Sequence, residues 1–282
     1  MLSNALAYYS QHSTITHPGD YAALLDNLPT DLPSLHQVVQ NVLIHVWKIR
    51  KFHKEFLQGR THEYELRGIA PLLEQIQAFD RRPLTVERPI EKKLIVDCRH
   101  FATLLCAILR QQQVPARVRC GFATYLEDTH YQDHWVCEFW NRERWVLEDP
   151  DLMMHDVSRE QFMTGGKAWR LARAGEVSAD RFGYDPNACG LWCVRDDLMR
   201  DLAALNGFEA LSADGWGKIG QDNLVESDMA LLDQAAAMTL ADNAAFADMR
   251  AFYDASPSLR VPNIITVYNY ITDELRTVRL DG

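Results

Sequence analysis

Three residue types that can together open an amide bond occur in order along this chain: Cys98, His134 and Asp149. A cysteine nucleophile needs a stabilised thiolate, a neighbouring base, and a group that orients that base. Cys98 stands in "KKLIVDCRHFATLLCAILRQQQVPARVRCGF", where a short β-rich run breaks at Asp97-Cys98 into a helical pattern. The first turn of a helix offers unpaired N–H groups and the positive end of the macrodipole, which favour a thiolate and can hold an oxyanion. His134 begins "HWVCEFW", and Asp149 ends "RWVLEDP", where Pro150 stops the run.

The elements that must position these residues follow from local pattern. Asp97 is suited to cap the helix that Cys98 begins. Its apolar stripe is Cys98, Phe101, Ala102, Leu105, Ile108 and Leu109, with Arg99, Gln111 and Gln112 away from the centre. The stripe directs Cys98 toward a sheet, and the helix should end near Gln113, because Val114 precedes Pro115. "RVRCGFA" alternates, with Val118, Cys120 and Phe122 on one face and Arg117 and Arg119 on the other. "HWVCEFW" and "RWVLEDP" are two further strands joined by the polar tip Asn141-Arg142-Glu143. If Arg142 and Glu143 form a two-residue turn, paired residue numbers sum to 285. His134 then lies opposite Asp151 with Asp149 as its diagonal neighbour, about 7–8 Å away between Cα atoms. An odd loop would put Asp149 on the other face.

Around this segment the pattern is mainly helical. "SLHQVVQNVLIHVWKIRKF" reads as one helix, with Val38, Val42, Leu43, His45 and Val46 at helical spacing and Pro33 before its start. "APLLEQIQAF" is a second helix, and "DRRPLTVERPIEKK" a polar surface connection. Beyond Val157, "GGKAWRLARAGEVSADRFGYDPNACG" mixes helix with loops. "CVRDDLMRDLAALNGF" and "SDMALLDQAAAMTLADNAAFADMRAFY" are helical, and "RVPNIITVYNYITDELRTVRL" returns to β propensity. The expected organisation is an N-terminal helical part (1–80) packed on a core (81–157), followed by a mostly helical elaboration with a C-terminal β segment (158–282), as part of one compact unit. A helix followed by an antiparallel sheet makes the fold class α+β.

The chain has 282 residues, 47% hydrophobic and 24% charged, ordinary for a globular protein. Its net charge of -10, with no dense basic stripe, argues against nucleic acid as a partner. "MLSNALAYYSQHST" lacks the form of a secretory signal, and no apolar run approaches a membrane span. The six cysteines (Cys98, Cys106, Cys120, Cys137, Cys189, Cys193) include no C-x-x-C pair, so no metal site and no cofactor are expected. Reduced thiols in a cytoplasm fit better than disulfides.

Each residue has a plainer reading. Cys98 can be a small buried hydrophobe, His134 a strand histidine bonded to backbone, and Asp149 an Asp-Pro turn. Among rivals, His100 sits two positions from Cys98 on a helix and points elsewhere, and His130 and His155 are less well placed. Cys106, Cys120 and Cys137 fill core positions, and Cys189 and Cys193 are structural. Trp135, Phe139, Trp140 and Trp145 are core or cleft wall. Gly165-Gly166 lacks the context of a phosphate loop and reads as a flexible turn.

"VDCRHFATLLCAILRQQQVPARVRCGF", "DHWVCEFW" and "RWVLEDPD", taken in order, resemble the transglutaminase-like superfamily, a bacterial-type member, over roughly Leu94 to Leu152. The resemblance implies a cysteine-proteinase-like core, a helix packed on an antiparallel sheet, with added N- and C-terminal helices. It also implies a papain-like triad: Cys98 as nucleophile, His134 as general base then acid, and Asp149 as orienter. The family includes transglutaminases, peptide N-glycanases, bacterial proteases or amidases, amide-forming enzymes and inactive relatives. Acyl transfer at a peptide, protein or small amide through a thioester is thus the expected activity, with a non-catalytic binding module of the same fold as the alternative. Many members carry Gly-Gln-Cys or Gly-x-Cys where this chain has Val96-Asp97-Cys98. The upstream oxyanion donor is sought around Gln75 and Gln77.

Overall fold

The computed structural model describes residues 4–221, 224–269 and 272–280. In chain order its regular elements are α1 (Asn4–Tyr9), α2 (Leu32–Val42), β1 (Leu43–His45), α3 (Val46–Phe52), α4 (Ile69–Phe79), β2 (Leu94–Val96) and α5 (Cys98–Gln111). The strands β3 (Ala116–Ala123), β4 (Tyr131–Trp140), β5 (Trp145–Asp149), β6 (Met154–Val157) and β7 (Phe162–Thr164) follow. Then come α6 (Gly165–Arg173), β8 (Phe182–Asp185), β9 (Ala188–Cys189), α7 (Leu191–Leu205) and β10 (Asp214–Gly215). The last are α8 (Glu226–Leu240), α9 (Phe246–Ala255), β11 (Ile264–Asn269) and β12 (Glu274–Arg279). Helices and strands in these proportions are the α+β class that the pattern indicated. The main sheet runs in the order β6-β5-β4-β3-β7, with β8 beside β4 and β9 beside β8.

The chain forms two compact units. The first comprises Leu6–Val118 and Val136–Val157, and the second residues 4–5, Arg119–Trp135 and the chain from Ser158 onward.

In the first unit, Asp31 caps α2 by accepting the Ser34 N–H at 2.9 Å, and Pro33 stands in the opening turn where its missing N–H costs nothing. Leu35, Val38, Val39 and Val42 form the buried stripe of α2. The helix does not continue to Phe52 as its spacing suggested. It stops at Val42, and Leu43–His45 pair in parallel with Leu94–Val96. A partner strand that is buried throughout offers ladder bonds to Leu43 and the β-branched Ile44, and this tertiary pairing overrides helical propensity. His45 then restarts the helix, its Nδ1 accepting the Trp47 N–H at 3.1 Å. The connection 80–93 also departs from a purely surface reading. Leu84 and Arg88 are buried, and Arg88 donates to the carbonyls of Asp80 and Arg82.

α5 begins at Cys98 and ends at Gln111, with Gln113 in the left-handed region at φ 60°. It is buried on every side from Cys98 to Arg110, including its charged positions. Arg99 donates to the Arg67 carbonyl at 2.7 Å, and Arg110 to the Ala116 carbonyl at 2.9 Å and Thr16 Oγ1 at 2.9 Å. The β4–β5 hairpin takes the expected register. Cys137 pairs with Glu148 and Trp140 with Trp145, and the Asn141 N–H donates to the Arg144 carbonyl at 3.1 Å. Asn141 Oδ1 accepts the N–H groups of Glu143 and Arg144, and Arg142 takes φ 82°, so the tight turn is locally encoded.

In the second unit, β3 pairs antiparallel with β7, β8 lies parallel to β4, and β10, β11 and β12 form a separate sheet. Gly165-Gly166 is not a flexible turn; it opens α6. A Cβ on Gly165 would lie 2.6 Å from the Asp197 backbone, and one on Gly166 would strike Thr239 Oγ1. The two glycines let α6 press against α7 and α8, a packing role of the missing side chain.

Candidate functional site

Cys98 is delivered by β2, whose three residues are completely buried. The strand is anchored from outside by Glu63, itself buried. Glu63 Oε2 accepts the Ile95 N–H at 2.8 Å and the Arg60 guanidinium at 2.9 Å, and that guanidinium also holds the Lys93 carbonyl at 2.6 Å. Three residues after Ile95, the chain turns into α5 with Cys98 only 6% exposed.

Asp97 stands at the N-cap position, but its side chain makes no cap bond. Its Oδ1 instead meets His100 Nδ1 at 2.6 Å, and His100 Nε2 meets the Leu66 carbonyl at 3.0 Å. A charge-assisted bond to an imidazole outcompetes a backbone amide for that carboxylate. Burial pushes the Asp97 carboxyl up, but the charge and hydrogen bond of His100, with Arg99 and His45 behind them, hold it below the usual range. His100 is committed to Asp97 and Leu66.

Asp149 closes β5 and is completely buried. Its Oδ1 accepts the N–H groups of Asp151 at 3.0 Å and Leu152 at 3.2 Å, so the carboxylate organises the Asp-Pro turn that follows it. The turn is tied to α2 by Gln40, whose Nε2 donates to the carbonyls of Pro150 and Asp151. The β4–β5 ladder runs from the Trp140–Trp145 pair to the Cys137–Glu148 pair, and Asp149 follows directly after it.

His134 lies in β4 and is 2% exposed, with the Tyr125 ring edge-on at 6.2 Å. Cys98 and Asp149 fall in the first unit and His134 in the second. Beside His134 in sequence, Asp133 clusters with Cys120 and Asp197. Burial and then the Asp133 carboxylate hold Asp197 well above the usual carboxylate range, with Arg200 offsetting part of the rise. Gln75 and Gln77 lie on α4, and Gln77 Nε2 is enclosed with no hydrogen-bond partner among the described residues.

The other histidines and cysteines have their own roles. His130 bonds Gln132 Oε1 at 2.7 Å, and His155 bonds Glu148 Oε2 at 2.7 Å. Cys106, Cys120 and Cys137 are buried. Cys193 donates to the Ala188 carbonyl, and Cys189 to the Pro186 carbonyl. Trp135 is core, while Trp145 stacks under the Arg117 guanidinium at 4.0 Å, which also reaches Glu138 Oε2 at 2.6 Å. Sequence reasoning missed Glu63 and Arg60, because nothing local marks a glutamate whose partner is a strand amide 32 residues away. It also passed over Glu148 and His36, whose partners come from distant segments.

Residues 79–150 match the model of the transglutaminase-like superfamily, and the α+β arrangement of that segment agrees with it. The match is a minority of the chain and includes Cys98, His134 and Asp149. No curated protein and no solved structure matches the chain. Among the described residues, no helix is long and apolar enough to cross a membrane.

Proposed function

We propose that this chain is a cysteine acyl-transfer enzyme acting on an amide of a peptide, a protein or a small molecule. Cys98 Sγ attacks the carbonyl carbon while His134 takes the thiol proton. The tetrahedral oxyanion collapses to a thioester as the C–N bond breaks, and His134 returns the proton to the departing amine. Water or a second amine, deprotonated by His134, then displaces Cys98. Asp149 orients the imidazole and stabilises its charged form. N–H groups of the first turn of α5 are the proposed oxyanion donors.

The observation that carries this reading is the position of Cys98: first residue of a fully buried helix, behind an anchored strand, within the segment that matches the family model. The two-residue turn between β4 and β5, with Trp140 paired to Trp145 and Cys137 to Glu148, is consistent with this reading. Free thiols suit a reducing compartment, and we place the enzyme in the cytoplasm on that ground.

A chromogenic ester tests the proposal without knowledge of the natural substrate. With p-nitrophenyl acetate, the acetyl group passes to Sγ and p-nitrophenolate leaves with the bonding pair. We expect a burst of about one equivalent, an acetyl mass increment mapped to Cys98, and its loss in Cys98→Ala. Acylation elsewhere, or none at Cys98, overturns the proposal and favours a binding module of the same fold.

A further inference from the structure

We propose that His36, Glu148 and His155 form a binding site for a borderline divalent metal ion of the zinc type. The three come from α2, β5 and β6, all in the first unit, and one potential ligand atom of each lies within 4.8 Å of the others. His36 Nε2 stands 3.1 Å from Glu148 Oε2, and His155 Nδ1 stands 2.7 Å from the same oxygen. The two imidazoles lie face to face, with centroids 4.3 Å apart and planes at 29°.

An ordinary ion pair leaves part of this arrangement unexplained. The His36 side chain is completely buried, yet neither of its ring nitrogens has a hydrogen-bond partner among the described residues. Nε2 is near Glu148 but not aligned with it for a hydrogen bond. A buried imidazole with both nitrogens unsatisfied is costly, and a metal ion that accepts the Nε2 lone pair removes much of the cost. Two imidazoles and one carboxylate are a donor set that zinc and its neighbours prefer over calcium or magnesium.

Tetrahedral ligand atoms at zinc distances lie about 3.3 Å apart. The Glu148 oxygen would therefore move away from His36 Nε2 by about 0.2 Å and from His155 Nδ1 by about 0.6 Å. A supporting contact is present as well, because Glu148 Oε1 accepts the Asp156 N–H at 3.2 Å, which orients the carboxylate. The His155 side chain is 39% exposed, so an ion can enter from solvent and keep a water as its fourth ligand. Bound there, the ion would clamp α2 to the β5–β6 hairpin, where the strand register shifts between Leu147 and Asp149. The inference stands independently of the acyl-transfer reading.

The test uses the full chain stripped with a chelator and then titrated with Zn²⁺ by calorimetry and with Co²⁺ by visible absorption. One equivalent of Zn²⁺ is expected, with a Co²⁺ spectrum free of thiolate charge-transfer bands. His155→Ala, at a half-exposed position, should keep the far-UV spectrum of the wild type and weaken binding at least tenfold. Glu148→Gln should weaken it similarly. Unchanged affinity in both variants, a thiolate band that places the ion on cysteines, or no binding by the wild type would each overturn the proposal.

Discussion

Replacing Glu63 should loosen the delivery of Cys98 although Glu63 is 35 positions earlier in the chain. In Glu63→Ala the Ile95 N–H loses its acceptor, which is worth about 1–3 kcal/mol for a buried amide. Arg60 loses its carboxylate at the same time. Removing one partner of a fully buried pair costs about 3–5 kcal/mol, but the Arg60 side chain is 16% exposed and water compensates part of that loss. A total of about 2–4 kcal/mol follows. Glu63→Gln keeps an oxygen for Ile95 and should cost roughly half as much. Urea denaturation measures the global effect. Hydrogen exchange at the Ile95 amide measures the local one, and a loss of 2–4 kcal/mol predicts an acceleration of roughly 30- to 1000-fold. If Glu63→Ala costs under about 1 kcal/mol and the Ile95 amide exchanges at its wild-type rate, β2 is not held in the way described.

Two further perturbations follow from buried charges. Asp201 is buried and receives two Arg119 N–H groups at 2.8 Å each together with the Cys120 N–H at 3.1 Å, so Asp201→Ala removes the carboxylate that balances a buried guanidinium, which keeps the Thr239 carbonyl at 3.2 Å. A loss of about 3–5 kcal/mol is expected by chemical denaturation, most of it recovered in the double variant Arg119→Met/Asp201→Leu; a single-variant cost below 1 kcal/mol would refute the argument. Asp97 contributes to the acid limb. Its carboxyl is depressed in the folded chain, so its stabilisation is complete above the ordinary value near 3.9 and is lost as pH falls through the lower folded value. Asp97→Asn should reduce the dependence of the urea midpoint on pH below about 4, and an acid limb identical to wild type would contradict the contribution assigned to the Asp97–His100 pair.

What the sequence made legible was what short-range chemistry decides. The start of α5 at Cys98 follows from a β-rich run ending at Asp97, and the β4–β5 register follows from a two-residue turn that Asn141 closes with its own side chain. Where a distant partner decides, the pattern misled or was silent. Leu43–His45 carry helical spacing but are claimed by β2, about 50 positions later. Asp97 has the right type for a cap yet turns to His100. Gly165-Gly166 looks like a hinge because the neighbours that require glycine, Asp197 and Thr239, are far off in the chain. For the same reason Glu148 gave no sign of His36, since histidine and glutamate on separate elements show no spacing to read.

Selective alkylation tests whether Cys98 and His134 act as a nucleophile–base pair. Burial holds the thiols of Cys120, Cys137 and Cys193 above their ordinary range, so these three stay protonated near neutral pH. Rates of iodoacetamide modification should be measured at each of the six cysteines against pH, by mass spectrometry, for the wild type and for His134→Ala. Cys98, although nearly buried, should react fastest near neutral pH, and His134→Ala should abolish this advantage while leaving the partly buried Cys189 unchanged. If Cys98 reacts no faster than the other five, or keeps its rate without His134, the nucleophile–base pair at the heart of the account is contradicted.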